Sequence, residues 1–180
     1  MTIFHIDLNQ DPIELTKALV DIPSPSHHEQ DIADAIEQAL KPLVDSANVE
    51  LVRYGNTVCA RTNRGLGSRV VLAGHVDTVP IADNVPHRME DNIMFGCGTV
   101  DMKSGLAVYM HTFAQLAAAE ELRHDLTLIA YEGEEVSTEF NGLGHLQRDH
   151  PEWLVGDLAL LGEPSGAMVE AGCRALFACG

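Results

Sequence analysis

Two periodicities share this chain, and the points where one gives way to the other mark its elements. Residues 11–21 (DPIELTKALVD) read as a helix, with Asp11 placed to cap it and Pro12 at the first helical position, where a missing N–H costs nothing. "IPSPS" at 22–26 breaks it. A second helix is expected from about Asp31 to Leu40, because Ile32, Ala35, Ile36, Ala39 and Leu40 recur at helical spacing. The next two segments, VELVRYG (49–55) and TVCART (57–62), are strand-like and separated by a hairpin signal at Gly55-Asn56. SRVVLAG (68–74) is a nearly continuous apolar run, the pattern of a strand buried on both faces. A long helix of small residues spans 103–119, and HDLTLIAYE (124–132) is a second buried strand. Residues 142–153 read as a short helix and turn, DLALLGEP (157–164) as a third buried strand, and AMVEAGC (167–173) as the start of another. Buried strands alternating with helices predict an α/β layer fold with a mainly parallel or mixed sheet flanked by helices.

Composition changes this picture chiefly through charge. The 180 residues suffice for one domain with a core, and 27 acidic against 11 basic residues give a formal charge of −16. Such a surface repels nucleic acid and anionic membranes, so neither is expected as a partner. No apolar run is long enough to span a bilayer, and His5, Asp7, Asp11 and Glu14 are foreign to a signal peptide. The cysteines at 59, 97, 173 and 179 form no CxxC pair, which argues against a disulfide framework and makes the cytoplasm the expected compartment.

Candidate chemistry follows the buried strands. VVLAG leads into His75-Val76-Asp77, LTLIAY into Glu132-Gly133-Glu134-Glu135, and LALLG into Glu163-Pro164, while GCGTVDMKSG (96–105) sets Asp101 just ahead of the long helix. Sites in open α/β sheets lie at the carboxyl ends of strands. Four segments therefore direct a histidine and several carboxylates to one end of the sheet. Bringing like charges together there costs several kcal/mol unless a cation compensates. Imidazole and carboxylate without thiolate favour Zn²⁺, Co²⁺ or Mn²⁺, and the number of carboxylates exceeds what one tetrahedral Zn²⁺ needs, which suggests two ions roughly 3.5–4 Å apart. The other histidines, His27-His28, His87, His111, His124, His145 and His150, have no such setting and are assigned no function. GCGTVD (96–101) superficially matches GxGxxG, but its third glycine is replaced by Asp101 and no suitable strand directly precedes it.

AGHVDTVP, GCGTVDMKSG, YEGEEV and LLGEPS, in that order, resemble the motifs of the aminoacylase/peptidase T/desuccinylase metallopeptidases. LVDIPSPS, ARTNRG, NGLG and HPEWL are most similar to the desuccinylase branch of that family. The resemblance implies a zinc-peptidase-like catalytic domain that hydrolyses the amide bond of an N-acyl amino acid. The leading substrate is N-succinyl-diaminopimelate, cleaved to succinate and diaminopimelate in lysine biosynthesis. Acetylornithine deacetylase or metallo-carboxypeptidase activity, or a metal-binding remnant without turnover, are the alternatives. It further implies roles: His75 and Glu163 on one metal, Glu135 on the other, Asp101 bridging both, Asp77 orienting His75, Glu134 as general base, and a cis peptide at Asp101–Met102. Two divalent ions, Zn²⁺ or Co²⁺, would be the cofactors. The family's second metal also takes a C-terminal histidine, so that site is expected to be incomplete in this chain. Residues 1–173 then correspond to the N-terminal segment of the catalytic domain, and 174–180 to a divergent tail where the family's lid domain, through which its members often dimerise, would begin.

Overall fold

Asp11 caps its helix as expected: its carboxylate accepts from the amides of Ile13 and Glu14, and α1 (Pro12–Val20) starts there. The computed structural model describes residues 4–166 and 168–170. Helix α2 (Gln30–Ala47) does not stop at Leu40 but continues through Pro42 to Ala47. Pro42 lies on the exposed side, where one lost helical bond is tolerated, while Leu43 and Ala47 still pack against the core. The helix ends at Asn48, whose φ of 52° lies in the left-handed region.

β1 (Val49–Tyr54) and β2 (Thr57–Thr62) form the expected hairpin, with Tyr54 opposite Thr57. β3 (Arg69–His75) follows. A short hairpin, β4 (Arg88–Glu90) and β5 (Ile93–Phe95), makes a separate two-stranded sheet that the sequence pattern did not reveal. Then come α3 (Lys103–Ala118), β6 (Asp125–Tyr131), α4 (Gly142–Asp149) and β7 (Leu158–Leu161), with 3₁₀ turns at Thr138–Phe140 and Pro151–Trp153.

The main sheet is mixed, in the order β1-β2-β6-β3-β7. β1–β2 and β2–β6 are antiparallel, and β6–β3 and β3–β7 are parallel. Side chains alternate across it. Val58, Ala60, Leu72, Leu126, Leu128 and Ala130 join the core beneath α1, α2 and α3, whereas Cys59, Val71, Ala73, Ile129 and Tyr131 pack with Leu146 of α4 and Trp153 on the other face. β3 and β6 are therefore covered on both faces, as their continuous apolar runs predict.

β7 departs from expectation. It is shorter than 157–164 and lies at the sheet edge, where Leu158, Leu160 and Leu161 are exposed. The expected strand at 167–173 falls largely outside the described residues, and 168–170 form no regular element. The boundary at 174 lies outside them too. Among the described residues no helix is long and apolar enough to cross a membrane.

Candidate metal centre

The three parallel strands end side by side, so the segments that follow β3, β6 and β7 leave the same edge of the sheet. The ladder runs one step beyond the strands: Val76 N donates to Tyr131 O at 2.8 Å and Gly162 N to Ala73 O at 3.2 Å. α3 begins beside them, with Asp101 just ahead of its first turn. Glycine permits the approach, since a Cβ on Gly105 would sit 2.5 Å from Gly162 O. Gly133 turns the chain after β6 with φ +70°, and a Cβ there would meet Phe140 O at 2.3 Å.

These elements bring all six candidate residues to one place. A ring nitrogen of His75 and carboxylate oxygens of Asp101 and Glu163 lie within 4.8 Å of one another; His75, Glu134 and Glu135 form a second group by the same measure. Both groups use the same imidazole. His75 Nε2 is 2.9 Å from Asp101 Oδ1, and His75 Nδ1 is 3.0 Å from the Asp77 carbonyl and 3.4 Å from Asp77 Oδ1. His75 and Asp77 are fully buried, while the Asp101 side chain is 49% exposed and opens the site to solvent. The Asp101–Met102 peptide bond is cis, as the resemblance implied.

Asp77 is the most heavily bonded of the group. Its Oδ1 accepts from Glu134 N at 3.0 Å, and its Oδ2 accepts from Glu135 N at 3.1 Å and Ser26 Oγ at 2.7 Å. Burial works against its ionisation, but these bonds and His75 outweigh burial and hold the carboxyl below the usual range. The neighbouring acids shift the other way. Burial, with Asp101 nearby, raises Glu135; burial raises Glu163 too, opposed by His75 and reinforced by Glu134. Burial disfavours a charged His75, yet Asp77, Asp101 and Glu163 push its imidazole up to about 9.

That pattern tests whether the residues fit a divalent cation. Acceptors face both nitrogens of His75, and the carboxylates around it repel one another. Positive charge at this point relieves both problems, and a lone proton on His75 relieves them only in part. An imidazole with carboxylates and no thiolate is the donor set of a Zn²⁺- or Co²⁺-type ion. The residues fit.

Over residues 71–174 the chain matches the sequence profile of peptidase family M20/M25/M40. The chain belongs to that family. It is 68% identical over 169 residues to the succinyl-diaminopimelate desuccinylase of Corynebacterium glutamicum, covering 94% of this chain and 46% of that protein. The chain spans about half the length of the curated relatives it matches. Among solved structures, the M20 metallo-carboxypeptidase Sso-CP2 of Sulfolobus solfataricus superimposes with a TM-score of 0.61 at 15% identity, covering 85% of this chain and 37% of that one. The Bacillus subtilis YXEP protein, described as a dinuclear metal-binding peptidase of the M20 family, gives a TM-score of 0.51 at 16% identity over 78% of this chain and 39% of that one. At such identities the likeness establishes the fold: the mixed sheet and its helices are those of an M20 catalytic domain.

Several residues in and around this cluster escaped the sequence reading. Ser26 sits in the stretch read as a helix breaker and as part of the family resemblance, with no role assigned to it. Tyr131, buried at the end of β6, donates its hydroxyl to Glu163 Oε1 at 3.4 Å. Lys103 is buried, and its Nζ donates to Leu19 O at 3.1 Å and Ile22 O at 2.8 Å. Burial brings its pKa down to about 8. A strand, β5, does directly precede GCGTVD, contrary to expectation, but it belongs to the exposed hairpin rather than to the main sheet. Six of the histidines assigned no function have structural partners: His87 pairs with Asp21, His111 with Leu8 O, His124 with Ser68 and His145 with Glu139 O, while His150 stacks on Tyr54 and His27 meets Phe140 edge-on.

Proposed function

We propose that this chain carries the cation-holding centre of a metal-dependent amidohydrolase that cleaves the amide bond of an N-acyl amino acid. N-succinyl-diaminopimelate is the proposed substrate, and succinate and diaminopimelate the products. The observation that carries the reading is the convergence of His75, Asp101 and Glu163 at the end of a parallel strand set. The 68% identity to a desuccinylase supports this choice of substrate. The enzyme would be cytoplasmic and act on a small molecule in lysine biosynthesis. Dimerisation would involve sequence that the longer relatives have and this chain does not match.

In this reading His75, Asp101 and Glu163 would hold one Zn²⁺ or Co²⁺, and Asp101 and Glu135 would hold a second. A cation so held supplies Lewis acidity, polarising the scissile carbonyl and making a bound water more acidic. Glu134 accepts the proton of the attacking water at its carboxylate and passes it to the leaving amine nitrogen. Asp77 accepts from Nδ1 of His75 and so leaves Nε2 free as the ligand atom. The burial of His75 and Asp77 keeps water from competing for these bonds.

Assaying the purified protein with added Zn²⁺ or Co²⁺ on N-succinyl-diaminopimelate, acetylornithine and dipeptides tests the proposal. Metal-dependent release of succinate supports it. Turnover of acetylornithine or dipeptides alone reassigns the substrate. Metal binding without any turnover leaves a non-catalytic metal-binding protein.

A further inference from the structure

The segment that breaks α1 is laced onto the segment that carries His75. Ser24 Oγ donates to Val76 O at 2.8 Å, Thr78 N donates to Ser24 O at 2.9 Å, and Ser26 N donates to Thr78 O at 3.1 Å. Pro25 and Thr78 form a parallel bridge. Lys103 fastens the other end of the same segment through Ile22 O. The lacing delivers one side chain to the site: Ser26 Oγ donates to Asp77 Oδ2 at 2.7 Å, the shortest bond that carboxylate receives.

We infer that Ser26 is a positioning residue, which through Asp77 fixes the backbone of Glu134 and Glu135. For what that turn does, the inference rests on the hydrolase reading above. The Asp77 carboxylate is fully buried, and its two oxygens accept from three donors, Ser26 Oγ, Glu134 N and Glu135 N, while His75 Nδ1 lies 3.4 Å from Oδ1 and 3.0 Å from the Asp77 carbonyl. Glu134 N and Glu135 N bond to different oxygens, so the plane of the carboxylate sets where both residues sit. Glu134 and Glu135 lie in a bend after β6, and both reach the imidazole of His75. Two neighbouring glutamates can take different positions at one site only if the backbone between them is held. Gly133, at φ +70°, gives that backbone freedom on its other side. Ser26 is the donor from outside the strand-end segments, and its bond opposes rotation of the carboxylate about Cβ–Cγ. Without it, Oδ2 keeps a single amide and the plane can turn. Displacements of about 1 Å at a reacting group cost on the order of 10²-fold in rate.

The test compares Ser26→Ala, Ser26→Thr and Ser24→Ala by amide hydrogen exchange in the ¹⁵N-labelled chain. Ser24→Ala is the control, because it removes a hydroxyl bond of similar length from the same segment without touching Asp77. Ser26→Ala is expected to speed exchange at the Glu134 and Glu135 amides about tenfold or more, the scale of a bond to a charged acceptor. Ser26→Thr restores protection, since it keeps the hydroxyl and Ser26 is only half-buried. Ser24→Ala lowers the melting temperature without singling out those two amides. In protein that turns over, Ser26→Ala lowers kcat with KM nearly kept. Exchange at Glu134 and Glu135 no faster in Ser26→Ala than in Ser24→Ala, as when solvent replaces the hydroxyl, overturns the inference, and so does a failure of Ser26→Thr to restore it. Failure of the hydrolase reading is seen separately, as absence of metal-dependent turnover in the unsubstituted chain, and leaves the exchange comparison decisive for Ser26.

Discussion

Asp77→Asn removes a charge without changing shape, and the bonds of Asp77 say what that costs. Oδ1 accepts from Glu134 N at 3.0 Å and faces His75 Nδ1 at 3.4 Å; Oδ2 accepts from Ser26 Oγ at 2.7 Å and Glu135 N at 3.1 Å. An amide keeps only one oxygen. With that oxygen in the Oδ1 position, the NH₂ group faces Ser26 and Glu135 N. The Ser26 hydroxyl can turn and accept, but the Glu135 N–H cannot. The opposite orientation sets the NH₂ group against both Glu134 N and His75 Nδ1, which is worse. The better orientation thus leaves one buried N–H unpaired, at a cost of about 1–3 kcal/mol. The upper end is expected in the metal-free chain, where the imidazolium of His75 also loses its anionic neighbour. With metal, the loss appears as affinity; Nδ1 keeps the Asp77 carbonyl at 3.0 Å and loses only the carboxylate charge, so the drop is expected near the lower end of the about 10–100-fold typical for outer partners of a ligating histidine. Two assays separate the terms: urea unfolding of the metal-free chain, and titration with Zn²⁺ or Co²⁺ against a competing chelator at fixed pH. They must be kept apart, because bound metal stabilises the fold by mass action. A folded Asp77→Asn chain with unchanged Kd would refute the claim that Asp77 acts through His75. Unchanged unfolding free energy would show that the two amides do not depend on it.

Glu134→Gln keeps shape but cannot take a proton, so kcat should fall about 10²–10⁴-fold with metal content and KM little changed, whereas Glu135→Gln should lose metal and regain activity with excess metal; the opposite pattern would exchange the two roles. Asp125 is 3% exposed and accepts from Thr62 Oγ1, Arg64 N and Leu66 N, bonds that outweigh burial and hold its carboxyl below the usual range. A depressed folded pKa means stability that is full above the unfolded value of about 3.9 and lost as pH falls through the folded value; Asp125→Ala should therefore cost about 3 kcal/mol at pH 7 and flatten the acid limb of a urea-stability profile, and an unchanged limb would count against it. The leucines of β7 are exposed on a strand that among the described residues pairs only with β3, so the chain should associate with rising concentration and Leu158→Lys with Leu160→Lys should suppress this; sedimentation of the unsubstituted chain as a monomer throughout would contradict it.

The strands and the site were legible for the same reason. A continuous apolar run of seven residues has few homes besides a covered strand, and charged side chains directly after it must lie at the strand's end. His75, Glu135 and Glu163 could be found this way without knowing the order of strands. What the pattern could not say is who stands beside whom. LALL reads alike in the middle of a sheet and at its edge, so the exposure of β7 was invisible. The strands of the β4–β5 hairpin are too short for a period to show. The run of apolar positions that traces the second helix closes at Leu40 and so ends the expected helix there, yet Leu43 and Ala47 still pack against the core beyond it. Ser26 was missed for a deeper reason. Groups that hold a cation must be imidazoles or carboxylates, a small set whose clustering is conspicuous. A group that holds those groups in place needs only a hydroxyl or a backbone amide, which almost any loop supplies, and Ser26 meets Asp77 across 51 residues of chain. The chemistry of such a site is written in residue types, while its rigidity comes from tertiary contacts between ordinary ones, so the residues that hold a site in place have to be sought in the fold.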